Sequence, residues 1–77
     1  MNLVTVYTTN HCPYCVMLKN FLSEQNIPYT EVNVETKPEI IDRLVKMTGQ
    51  MGVPQTEVNG QWIVGFDPNN IMIALRN

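Results

Sequence analysis

The sequence predicts an α/β domain: one layer of mixed β-sheet with helices on both faces. Two observations carry this reading. Runs rich in β-branched and aromatic residues alternate with runs of helical periodicity, in the order β-α-β-α-β-β-α. The joints between them are short and punctuated by proline, glycine and asparagine. The result is a four-stranded sheet flanked by three helices. With 77 residues, the chain reads as a single domain over 1–77, because so short a chain cannot supply two cores.

Leu3 to Thr8 is β-branched and aromatic with no breaker, and reads as the first strand. Val16 to Gln25 follows with helical periodicity. Cys15, Leu18, Phe21 and Leu22 fall on one side as a buried stripe, and Lys19, Asn20, Ser23 and Glu24 on the other. Asn26 and Pro28 end that helix. Tyr29 to Val34 alternates and makes a second strand, and strand–helix–strand with short joints implies a right-handed crossover and a parallel pair. The second helix opens at Thr36-Lys37-Pro38-Glu39. Thr36 and Glu39 have capping-box spacing, while Pro38 favours Lys37 as the cap. Its inner face is Ile40, Ile41, Leu44, Val45 and Thr48, and Gly49 stops it. Gln55 to Val58 and Gln61 to Gly65 form a hairpin about Asn59-Gly60, because both turn positions need positive φ. Asp67 caps a last helix with Pro68 in its first turn and Ile71, Met72 and Leu75 inward.

Composition narrows the function. Hydrophobic residues make up 44% of the chain and the net charge is −2. Lys19, Lys37, Arg43, Lys46 and Arg76 are scattered, so no basic patch for nucleic acid or anionic membrane forms. No apolar run approaches the roughly 20 residues of a membrane span. The first residues lack a signal peptide's charged and apolar regions. With two cysteines and no export signal, the expected home is the cytoplasm, where Cys-x-x-Cys is more often catalytic than structural. The expected state is a monomer.

Cys12 and Cys15 are the candidate catalytic pair. Set three apart at the first turn of a helix, they lie on one face, and their sulfurs can meet. Pro13 suits that turn because its missing N–H would have had no intrahelical partner. The first free amides and the positive end of the helix dipole point at Cys12 and favour its thiolate, the form that attacks disulfides. A stabilising role for the pair is weak, since the loop it closes is short. A structural zinc site is weaker still, because zinc takes four ligands and the chain offers two cysteines and one histidine; the expected metal complement is none. His11 adjoins the nucleophile: protonated, it would further favour the thiolate, or it simply occupies an exposed loop. Tyr14 walls the site. Glu31, Glu35 and Glu39 read as solvated charges, Met47 and Met51 as packing and rim residues, and Trp62 as a packing residue.

With Cys12-Pro13-Tyr14-Cys15, Val53-Pro54 about forty residues later and Gly65-Phe66-Asp67 before the last helix, the chain resembles the glutaredoxins, a family of thioredoxin-like fold, along essentially its whole length. The resemblance implies a sheet ordered 2-1-3-4 and Pro54 in the cis form opposite the cysteines. There it would aim the backbone of Val53 at an incoming substrate. It also implies Thr9, Tyr14, Val53, Pro54, Gly65, Phe66 and Asp67 as the substrate- or glutathione-binding set, supported by His11 and Pro13, with no tightly bound cofactor and glutathione as cosubstrate.

Two departures bear on that last point. Many glutathione-using members carry a lysine where Thr9 stands, and a Gly-Gly-x-Asp-Asp string where this chain has Val64-Gly65-Phe66-Asp67-Pro68. Gly65-Phe66-Asp67-Pro68 is instead similar to the Gly-Phe-x-Pro of the small redoxins that serve ribonucleotide reductase and are recycled by thioredoxin reductase. The reading is a thiol-disulfide oxidoreductase acting on disulfide-containing proteins or glutathione mixed disulfides. The alternatives are a redoxin recycled by thioredoxin reductase, a glutathione-assisted iron–sulfur cluster carrier assembled from two chains, and a redox-sensing binding module.

Overall fold

Each strand-like run becomes a strand and each helix-like run a helix. The computed structural model describes residues 2–76. Along the chain stand β1 (Val4–Thr8), α1 (Pro13–Glu24), β2 (Thr30–Asn33), α2 (Pro38–Thr48), β3 (Gln55–Val58), β4 (Gln61–Val64) and α3 (Pro68–Arg76). The sheet order is β2-β1-β3-β4. The β1 and β2 strands are parallel, Thr5 opposite Thr30, whereas β1 with β3 and β3 with β4 are antiparallel. This is the mixed sheet and strand order expected from the sequence.

Alternation along the strands sorts the core into two layers. Val4, Val6, Val58 and Ile63 pack against Leu18 and Leu22 of α1 and Ile71 and Ala74 of α3. Tyr7 and Val34 face the other way, onto Leu44 of α2, with Val32, Ile40, Ile41, Val53 and Trp62 at the margin. Trp62 is thus a packing residue as expected, its ring stacked on Tyr7 with centroids 5.5 Å apart. Two helices therefore cover one face and a single helix the other. No helix among the described residues is long and apolar enough to cross a membrane.

Local chemistry sets the boundaries. Gly49 ends α2 in the left-handed region at φ 77°, and Asn59 and Gly60 both take positive φ in the hairpin turn. The structure corrects several expectations. Helix α1 starts at Pro13, because Cys12 takes the N-cap position. Lys37 caps α2 without a side-chain bond, so the Thr36–Glu39 capping box is not used. Strand β2 is shorter than Tyr29 to Val34, and Tyr29 packs with Ile27 against the α1 layer instead. Val45 is 38% exposed: with one helix on this face, the buried stripe is narrow and Val45 turns onto its rim. In α3 the buried pair is Ile71 and Ala74, the small alanine allowing close approach to the sheet, with Met72 and Leu75 half-buried. Met47 and Met51 are exposed, as rim and not buried packing residues.

Leu18 is fully buried between α1 and the sheet, one turn from the cysteines. Leu18→Ala should destabilise the chain by about 2–5 kcal/mol, read as a shift of the urea midpoint at unchanged slope.

Candidate active site

The first helical turn of α1 organises the cysteines. Cys12 is extended, at φ −137° and ψ 96°, as an N-cap residue must be. Its carbonyl accepts the Val16 N–H at 3.2 Å, and its Sγ accepts the Cys15 N–H at 3.1 Å. Cys15 is the third helical residue, so its N–H has no intrahelical acceptor, and here sulfur takes the place of the usual capping oxygen. Pro13, next in line, has no N–H to satisfy. Cys12 and Cys15 form a disulfide with Cα atoms 5.2 Å apart. Their exposures differ: Cys15 is 1% exposed, whereas Cys12 is half-buried at the surface.

Three surrounding segments hold this turn. The Val53–Pro54 peptide bond is cis, as the resemblance implies. The Val53 carbonyl lies 3.9 Å from Cys12 Sγ; in the disulfide no thiol proton remains, so this is a contact, not a hydrogen bond. Pro54 is buried, and its carbonyl accepts the Gly65 N–H at 2.8 Å, which ties the loop before β3 to the turn before α3. On the other side, Asn10 donates its backbone and side-chain N–H groups to the two oxygens of Glu35, at 2.8 and 2.9 Å. Asn33 donates to the Asn10 side-chain carbonyl at 2.6 Å. The loop before Cys12 is thereby anchored to the β2–α2 connection. Glu35 is exposed, as expected of a solvated charge, and it also clamps this loop. Contacts between residues this far apart carry no periodic signal, so nothing in the sequence pointed to them.

Among the other site residues, Tyr14 is 61% exposed, His11 and Pro13 are exposed, and Thr9 and Val53 are half-buried. Tyr14 thus stands beside Cys12 as an open aromatic surface. Phe66 is half-buried and packs against the layer formed with α1 and α3. Asp67 is already engaged: one carboxylate oxygen accepts the Asn70 N–H at 3.2 Å and the other the Asn70 side-chain amide at 2.6 Å. A groove of about 510 Å³ lined by Ser23, Asn26, Ile27, Pro28 and Tyr29 lies at the far end of α1 and includes neither cysteine.

A half-buried sulfur capping a helix, a fully buried partner sulfur behind it and a cis-proline loop opposite define a thiol-disulfide oxidoreductase of thioredoxin-like fold. The glutaredoxin family model matches residues 4–63, and the chain belongs to that family. The glutaredoxin-like protein NrdH of Lactococcus lactis is 33% identical over 69 residues, which span 90% of this chain and 94% of that one. The solved NrdH-redoxin of Escherichia coli, a glutaredoxin-like protein with a thioredoxin-like activity profile, superposes with a TM-score of 0.82 at 26% identity over 91% of each chain. The glutaredoxin of Archaeoglobus fulgidus shares the fold with a TM-score of 0.86, at 18% identity over 100% of this chain and 89% of that one.

Glu31 is likewise exposed, as expected of a solvated charge, and it too has fixed partners. It accepts the hydroxyl of buried Thr8 at 2.7 Å and pairs with Lys19 at 3.1 Å, joining the end of β1 to β2 and α1. The Thr8 hydroxyl first, then Lys19, holds its carboxyl below the ordinary value of 4.5. A carboxylate whose pKa is lowered by folding stabilises the fold above its unfolded pKa, and that contribution disappears as pH falls through the folded value. The thermal midpoint should therefore drop as pH is lowered below about 4.5, and Glu31→Gln should drop less over that window. Equal slopes for the two proteins would mean that this group contributes nothing.

Proposed function

We propose that Cys12 is the attacking sulfur and Cys15 the resolving one, and that the oxidised pair is reset by a thioredoxin-reductase-type flavoenzyme in preference to glutathione. In the reduced protein the Cys12 thiolate attacks one sulfur of a substrate disulfide, forming a mixed disulfide and expelling the other sulfur as a thiolate. Cys15 gives up its proton and attacks Cys12 Sγ. The second substrate thiolate leaves, and two electrons have passed from the dithiol to the substrate. Burial of Cys15 keeps it protonated until the mixed disulfide forms beside it.

The observation that carries the donor assignment is the capped start of α3. Glutathione presents two carboxylates, which need a cation or free amides. Here Asp67 already takes the Asn70 N–H and adds negative charge, and Pro68 has no N–H to offer. Thr9 supplies no cation. Losing one charge-assisted hydrogen bond costs about 1.5–3 kcal/mol, tenfold or more in affinity. The likeness to NrdH proteins supports the same reading. By their analogy, the proposed electron acceptors are disulfides of proteins such as a ribonucleotide reductase. Phe66, beside that turn, is proposed to help dock the partner.

The test is a coupled NADPH assay comparing thioredoxin reductase with glutathione plus glutathione reductase. Turnover should be faster with the flavoenzyme alone, and the pair Thr9→Lys with Pro68→Asp should raise glutathione-dependent turnover about tenfold. Saturable wild-type turnover at a low KM for glutathione, unchanged by the pair, would contradict the donor assignment.

A further inference from the structure

Gln55, the first residue of β3, is 0% exposed. A buried carboxamide is costly unless each of its polar atoms is paired. Here its Nε2 donates to the carbonyls of Gln50 and Gly52, both at 2.9 Å, and its Oε1 accepts the Thr48 hydroxyl at 2.9 Å. The amide orientation follows from the partners, since the reverse would set Oε1 against two carbonyl oxygens. Thr48 also lies 2.9 Å from the Leu44 carbonyl. A hydroxyl has one proton, and among the described residues the Gln55 oxygen has no other donor, so that proton belongs to Gln55. The same hydroxyl accepts the Gln50 N–H at 3.2 Å.

These bonds do the work of a strand ladder for a segment that has none. Residues 49–54 belong to no helix or strand, yet they deliver Val53 opposite Cys12. Among the described residues the N–H and C=O of Val53 make no backbone–backbone hydrogen bond, and the carbonyl has Cys12 Sγ 3.9 Å away, so its backbone is open to an extended chain lying across the cysteines. One side chain thus joins the last turn of α2, two carbonyls of the loop and the start of β3, immediately after the residues that face the sulfur.

We propose that Gln55 is a positioning residue: its carboxamide sets the 50–54 loop so that the Val53 backbone stands at the height above Cys12 that a peptide disulfide requires. The proposal rests on Cys12 being the attacking sulfur and is independent of which donor resets the pair. Two consequences separate it from a merely structural role. Disulfides flanked by peptide backbone depend on Gln55, whereas a disulfide with no backbone to pair does not. The reactivity of the Cys12 thiolate, set by α1, is untouched.

The experiment uses pre-reduced protein in single turnover, so no reductase is involved. Its oxidation is followed by rapid-quench alkylation with two substrates, a disulfide-bridged peptide and bis(2-hydroxyethyl) disulfide. Gln55→Met keeps the bulk of the side chain and removes its hydrogen bonds, and Thr48→Val removes the anchoring hydroxyl. Gln55→Met should slow the peptide disulfide about tenfold and Thr48→Val about threefold. Both should leave the hydroxyethyl disulfide rate and the pH profile of Cys12 alkylation unchanged. Equal losses on both substrates, or no loss on the peptide in a folded variant, would overturn the proposal. Alkylation of Cys15 instead of Cys12 in the wild type would overturn the assignment beneath it. Should Gln55→Met fail to fold, Thr48→Val decides by the same comparison.

Discussion

The third amide of α1 has no acceptor inside the helix, and it finds one 3.1 Å away in the sulfur of Cys12. Most of the site depends on that contact. An N-cap side chain is ordinarily an oxygen; placing a cysteine there points an N–H and the positive end of the helix dipole at an ionisable sulfur. The same turn carries Cys15 round to the buried side of the helix. Two cysteines three apart are thereby given different surroundings by their position on one helix. Pro13 between them lets the turn close without orphaning a donor.

The rest of the molecule holds that turn still and builds the surface opposite. Glu35 grips Asn10 on one side of the loop, and Glu31 grips Thr8 beneath it. Across the cleft, the cis Val53–Pro54 bond is tied to Gly65 through the Pro54 carbonyl and to α2 through Gln55. The loop before Cys12 and the loop that carries Val53 have no ladders of their own. Polar side chains therefore supply the order that backbone pairing gives elsewhere.

How much of this was legible beforehand follows from the range of each interaction. Gly49, Asn59-Gly60 and Asp67-Pro68 act within their own turns, so their neighbours in sequence reveal them, and the elements between them emerged nearly at their true lengths. The dithiol was legible because its chemistry needs only a helix start. The cis form of Pro54 came from family resemblance, since nothing local selects it. Val45 was misplaced because hydrophobic spacing shows where a stripe lies but not how wide a partner covers it. The parts of Glu31, Glu35 and Gln55 were illegible for a common reason. Each is a polar side chain whose partner comes from another element, and only the assembled fold brings them together.

Placed at the start of α1, Cys12 and not Cys15 is the thiolate expected in the reduced protein. The most direct test of that assignment is the rate of iodoacetamide alkylation of the reduced protein against pH, with the modified residue identified by peptide mass. Modification should fall on Cys12 with a midpoint well below the free-cysteine value of about 8.5, and Cys15 should be unreactive over the same range. A Cys12 midpoint at or above that value, or first modification at Cys15, would contradict it.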